Sequence, residues 1–327
     1  MGVPRATSST VRRYTKCYCA AARYSTGKTS GSRSASSVVS AAMTGATTDA
    51  AAAAAAAAAP ASASSGAETA ADVVDVAACL RSVYARVAAA ATSGPSKDVS
   101  IVAVSKTKPV PLLMEAYNAG HRQFGENYVN EIIEKAPVMP ADVQWHFIGH
   151  LQTNKAKSLV KKVPNLAIIE TVDSNKLATF LDRACQEYDA EKIETDEAES
   201  GNAEDTGGER TLDVLIQVNT SGEESKHGIE PDEESLLSLA KHITEDCSRL
   251  RLRGVMTIGM PDYTSRPENF TSLTKCRTII AEFMRVEPDE LVLSMGMSGD
   301  FEAAVSMGST NVRVGSAIFG KRVYPPR

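Results

Sequence analysis

Short apolar runs alternate with amphipathic stretches along most of this chain, and their spacing dictates an architecture. The runs fall at 101–104, 122–125, 145–148, 166–170, 214–218, 254–258, 291–294 and 312–315. Most are rich in β-branched residues, as expected of strands in a parallel sheet covered on both faces. Helical patterns lie before and between them. At 71–91, Val73, Val74, Val76, Leu80, Val83 and Val87 recur at helical spacing, and further patterns occupy 112–117, 175–188, 236–247 and 273–284. Eight strands without a long break predict an α/β protein of one domain, a closed (β/α)8 TIM barrel, spanning 70–327.

Two segments depart from this rhythm. Residues 1–69 carry Arg5, Arg12, Arg13, Lys16, Arg23, Lys28 and Arg33 among Ser, Thr and Ala, and hold no acid before Asp49. That composition fits a transit peptide addressing a mitochondrion, with a plastid or a cytosolic tail as alternatives. The alanine run 50–59, closed by Pro60, has nothing large to bury and is expected to be linker. The second departure, 189–210, packs nine carboxylates and two basic residues between the fourth helix and the fifth strand. It is expected to be a solvated insertion on the face opposite the reacting groups, with no part in chemistry.

Charge and cysteine content narrow the function. A net charge of −5 without a basic stripe argues against a nucleic-acid partner. No apolar stretch is long enough to span a bilayer. The six cysteines show neither metal spacing nor a disulfide framework; Cys17 and Cys19 are expected to leave with the leader, the other four to be small buried hydrophobes in a reducing interior, and no metal is expected.

In a parallel barrel the loops after the strands converge on one face and carry the chemistry. The first strand ends IVAVSKTKP, placing Lys106 at its tip, where apolar walls favour the neutral, nucleophilic amine. Lys108 is the competitor, but Pro109 opens the next helix, so Lys108 is expected to face outward. FGENY supplies Asn127, either for a ligand's phenolic oxygen or for an Asx-turn. WHFIGH supplies His146, expected to be a satisfied core residue, and His150 at the strand mouth. NTSGEESKHG holds Lys226 and His227, both expected in a solvated loop. The last two strands run into SMGMSGD (294–300) and VRVGSAIFG (312–320). Each pairs Gly with Ser ahead of a helix start, and Arg313 lies in the final strand. Backbone N–H groups there suit a phosphate. A ligand with both a carbonyl and a phosphate would satisfy the two ends: pyridoxal 5′-phosphate (PLP), or the phosphorylated sugar of a Schiff-base aldolase.

Seven blocks in order, AVSKTKP, FGENYVNE, WHFIGHLQTNK, NTSGEESKHG, GVMTIGMP, LSMGMSGDFEAAV and GSTNVRVGSAIFGKR, resemble the PLP homeostasis protein family, also called proline synthase co-transcribed homologue. The likeness covers 99–322, apart from the acidic insertion. It implies a fold-type III PLP barrel similar to the N-terminal domain of alanine racemase, with the cofactor as a Schiff base on Lys106. By the same resemblance Ser298, Gly315 and Ser316 hold the phosphate and Arg313 lies against the pyridine nitrogen. Asn127 and Ser294 complete the expected cofactor-binding set. The family binds, buffers and hands over PLP to apoenzymes, so no catalytic residue and no turnover are expected, and the chain should be a monomer or weak dimer. The short segment after the eighth strand leaves no second domain to cover the cofactor, as a racemase requires. An amino-acid racemase or a Schiff-base aldolase remains the enzyme alternative.

Overall fold

The computed structural model describes residues 74–200, 209–223, 226–259 and 267–321, without the side chains of 193–200. The leader expected at 1–69 lies outside the described residues. Asp75 starts the first helix, α1 (Val76–Ser93), by accepting the Ala78 N–H at 2.8 Å. Its buried face is Val76, Leu80, Val83, Val87 and Ala91, and it packs on the helices that follow the last two strands.

The strands are β1 (Ser100–Val104), β2 (Gln123–Glu126), β3 (Gln144–Phe147), β4 (Leu166–Val172), β5 (Leu212–Gln217), β6 (Leu250–Met256), β7 (Val292–Ser294) and β8 (Asn311–Val314). They close in that order as a parallel barrel. Closure joins β1 to β8 through four register pairs, from Ser100 with Asn311 to Ala103 with Val314. Each strand leads to a helix: α2 (Val110–Asn118), α3 (Val129–Lys135), α4 (Thr153–Lys162), α5 (Asn175–Ser200), α6 (Glu233–Lys241), α7 (Pro267–Met284), α8 (Phe301–Ser306) and α9 (Ser316–Phe319). The eight-strand reading of the sequence therefore holds. Among the described residues, no helix is long and apolar enough to cross a membrane. Cys185, Cys247 and Cys276 are buried, and burial pushes each thiol up to about 11, as expected of inert core residues, whereas Cys79 is only half-buried.

Three departures have physical causes. β5 begins at Leu212, earlier than hydrophobicity predicts, because Arg251 from β6 donates to the buried Asp213 carboxylate at 2.7 Å. β6 begins at Leu250 and not at 254, since Arg251 and Arg253 alternate with its buried positions and mask the apolar pattern. The helix expected over 175–188 runs on into the acidic insertion, as α5 continues through Ser200. Asp189 accepts the Arg210 N–H at 3.0 and 3.1 Å, which ties the two ends of the insertion together below the barrel.

One glycine is dictated by the sheet. Opposite Val214 and Leu215, β6 offers Leu252 and Gly254, so Arg253 is the extra residue of a bulge. Gly254 has φ +149°, and a Cβ there would lie 2.0 Å from the Val292 carbonyl oxygen. Gly254→Ala should lower stability by on the order of 3 kcal/mol. Gly120→Ala, at φ +95° with no atom within 4 Å of the added carbon, should cost about 1 kcal/mol from backbone strain alone. Urea unfolding midpoints of the two variants test this, and equal losses would show that the sheet tolerates the added methyl.

Candidate functional site

At the C-terminal ends of the strands lies a cavity of about 660 Å³, walled by the loops after β1, β2, β3, β6, β7 and β8. Lys106 reaches it from a turn that several groups hold. Ser105, fully buried, donates its backbone N–H to Gly125 and accepts the Lys108 N–H. Thr107 adopts φ +61°, and its N–H is fixed by Glu131 at 2.8 Å. Below the turn, Lys135 donates to the Ser105 carbonyl (2.9 Å), to Glu126 (2.7 Å) and to Glu131 (2.7 Å). Burial raises the Glu126 pKa, and the Lys135 ammonium works against that shift. The turn is thus locked to β2 and α3 by buried hydrogen bonds.

Lys108 does not face outward, contrary to expectation. It lines the same cavity, and its ammonium donates to the carbonyls of Phe319 and Lys321 at 2.8 Å each. Pro109 does precede α2, but the preceding turn swings Lys108 toward the eighth loop.

The opposite end of the cavity is built from backbone. Ser298 Oγ accepts N–H groups from Gly315 (3.1 Å) and Ala317 (3.4 Å), so donors from the start of α9 converge on one point. Gly315 leaves little room for a side chain, since a Cβ would sit 3.3 Å from that of Val104. Ser316 is exposed at the rim. Gly296, at φ +96°, brings the seventh loop close, and its carbonyl accepts the Arg313 N–H.

The floor is charged. Arg313 is only 4% exposed and donates to Ser294 Oγ and to the Thr257 carbonyl, each at 2.5 Å. Ser294 donates in turn to Glu170 (2.6 Å), which also accepts from Asn311 (3.0 Å) and lies 2.7 Å from His146 Nδ1. Burial raises the Glu170 pKa, but His146, Arg313 and Ser294 outweigh it, and the carboxyl titrates below its ordinary 4.5. Burial lowers Arg313, opposed by Glu170 and Asp300, and the guanidinium keeps its charge at neutral pH.

Of the seven residues singled out in the sequence, Lys106, Asn127, Ser298, Arg313, Gly315 and Ser316 line the cavity. Ser294 lies beneath it, fully buried, and touches Arg313 instead. The Asn127 side-chain oxygen is buried and has no hydrogen-bond partner among the described residues. His146 is buried, as expected, but it is not a satisfied core residue: Nδ1 meets Glu170 in the charged floor, while Nε2 is buried with no partner among the described residues. Lys226 is held by the Gly259 carbonyl (2.5 Å) and Glu223 (3.2 Å), while His150 and His227 stand exposed at the mouth. Sequence reasoning missed Glu126, Glu131, Lys135, Glu170, Thr257 and Asn311. Glu126 and Glu131 stand inside FGENYVNE, and a charged residue within an apolar run was the available signal for Glu170.

Residues 78–323 match the family profile of the alanine racemase N-terminal domain. The chain is 42% identical over 261 residues to the pyridoxal phosphate homeostasis protein of Homo sapiens, covering 76% of this chain and 87% of that one. The namesake from Schizosaccharomyces pombe is also 42% identical, over 233 residues, covering 70% and 87%. Among solved structures, PipY of Synechococcus elongatus PCC7942 with PLP bound is 30% identical with a TM-score of 0.54, covering 75% of this chain and all of that one.

The buried floor makes stability depend on pH. Because the folded Glu170 pKa lies below 4.5, its contribution is full above that pH and is lost as pH falls through the folded value. Glu170→Gln leaves Arg313 buried without its counter-charge and should cost about 3–5 kcal/mol at pH 7. The difference between wild type and variant should shrink on acidification below pH 4.5, as urea midpoints measured across pH will reveal.

Proposed function

The chain belongs to the pyridoxal phosphate homeostasis protein family, built on the alanine racemase N-terminal domain, and from that premise we propose that it binds, buffers and delivers PLP. One observation carries the reading: a single cavity joins a strand-end lysine to a cluster of convergent backbone N–H groups, with an arginine in its floor. That donor set fits the cofactor. Lys106 would take its aldehyde carbon, Ser298, Gly315 and Ser316 would hold its phosphate, and Asn127 would meet its phenolic oxygen. Ser294 would act by orienting Arg313. When bound, PLP supplies an electrophilic carbon and a conjugated ring able to accept electrons.

Arg313 favours holding the cofactor over turnover. Its guanidinium only donates, so it would meet the lone pair of the ring nitrogen and leave that nitrogen unprotonated, which weakens the ring as an electron sink. Each terminal nitrogen keeps a second N–H beyond those given to Ser294 and Thr257. Lys108, engaged by two carbonyls, would fasten the eighth loop and not compete for the aldehyde.

Borohydride reduction of the PLP-loaded protein, followed by peptide mass spectrometry, should place the pyridoxyl group on Lys106. Lys106→Ala should abolish the visible cofactor band while Lys108→Ala keeps it. Loaded protein should also restore activity to a PLP-dependent apoenzyme, without exchanging the α-hydrogen of alanine in heavy water. Rapid exchange with no transfer would make the protein an enzyme and overturn the reading.

We also propose that the basic, acid-free segment before Asp49 directs import into mitochondria, with a plastid as the second destination. A fluorescent reporter carrying residues 1–66 should enter the organelle. A diffuse cytosolic signal, with Met1 retained on the mature protein, would count against it.

A further inference from the structure

Three successive strand ends at the barrel mouth bring together groups that the PLP reading leaves without a task. His150 follows β3, Asp173 follows β4 directly, and His227 lies in the loop after β5. The imidazoles of His150 and His227 stack with centroids 3.6 Å apart and planes 10° from parallel. His150 Nδ1 is 3.7 Å from Asp173 Oδ2. One ligand atom from each residue lies within 4.8 Å of the others.

Close contacts hold the backbone that carries His150 and His227. Gly149 is pressed so closely on Asn127 that a Cβ would sit 2.0 Å from its carbonyl oxygen, and the Gly149 carbonyl accepts the Thr171 hydroxyl at 2.7 Å. Leu151, next to His150 on the other side, is buried. The His227 carbonyl accepts the Gln217 side-chain amide at 2.7 Å. Gly228, at φ +127°, lies so close to the strand end that a Cβ would sit 2.7 Å from the Asn219 nitrogen.

We propose that His150, Asp173 and His227 form a binding site for a divalent first-row transition ion of the Zn²⁺ type. Two imidazole nitrogens and one carboxylate oxygen suit that class, whereas Mg²⁺ and Ca²⁺ take oxygen donors. Tetrahedral Zn²⁺ holds its ligand atoms about 3.3 Å apart. The ligand atoms now lie within 4.8 Å of one another, so coordination needs them to draw together by up to about 1.5 Å. The Asp173 charge offsets half of the ion's, and the exposed imidazoles leave an entry path and an open position for water. His242 is a different case, since it already lies 2.9 Å from Asp246 and 2.8 Å from the Thr179 hydroxyl.

The test is equilibrium dialysis of tag-free full-length protein, without PLP, against Zn²⁺ alone, with bound metal measured by mass spectrometry. Wild type and His242→Ala should retain about one equivalent more than a His150→Ala/His227→Ala double variant. Asp173→Asn should weaken that equivalent at least tenfold, since even the outer partners of metal ligands are worth about 10–100-fold. Co²⁺ should give visible ligand-field bands in wild type that the double variant lacks. Far-UV circular dichroism of the variants controls for folding. Equal Zn²⁺ retention by wild type and the double variant, or none by either, overturns the proposal. Because no PLP is present, a negative result leaves the cofactor reading untouched, and failure of that reading does not touch this one.

Discussion

A guanidinium enclosed by a barrel is stable only where the barrel also encloses its counter-charge, because desolvating an unpaired ion costs several kilocalories per mole. Arg313 on β8 and Glu170 on β4 meet this condition across the barrel interior, bridged by Ser294 from β7 and flanked by His146 from β3 and Asn311. The condition sets register as well as charge. Asn311 and Arg313 are two residues apart and share a face of their strand, so a slip of one residue would turn both away from Glu170. The polar floor therefore specifies how four strands must pair, and the cavity above inherits its shape from that pairing.

A second buried ion cluster works the same way under Lys106. Lys135 spans Ser105, Glu126 and Glu131, which links the end of β1 to β2 and α3. Its ammonium is committed to carboxylates and a carbonyl. The lysine beside it thus stands on a rigid turn instead of a flexible loop, which is what a reactive amine needs for fixed aim. The far end is held differently, by Ser298 Oγ accepting the Gly315 and Ala317 N–H groups and by Lys108 donating to the Phe319 and Lys321 carbonyls.

The barrel was legible because apolar periodicity reports burial directly. All eight strands and five of the helices followed from it, along with most of the cavity wall, since strand ends of a parallel barrel converge. The parts that escaped share one trait: their burial depends on a partner far away in the chain. Asp213 and Glu170 look like interruptions of a strand until Arg251 and Arg313 are seen beside them. Lys108 was misjudged because the carbonyls that capture it belong to residues 319 and 321, more than two hundred positions on. The helices α3 and α4 escaped because Ile132 alone in the first, and Ala156, Leu159 and Val160 in the second, are too few apolar positions to show a period.

The seam between β1 and β8 has a consequence for synthesis. Lys106 emerges from the ribosome some two hundred residues before Ser298 and Gly315, and α1 must wait for α8 and α9 to cover its apolar face. Long-range closure of this kind comes late in folding, because the entropy of joining distant segments is lost before their contacts form. A nascent or truncated chain can therefore expose Lys106 without the loops that carry Ser298 and Gly315, and only a finished barrel presents both. Cofactor retention would then double as a proofreading signal, separating completed molecules from partial ones.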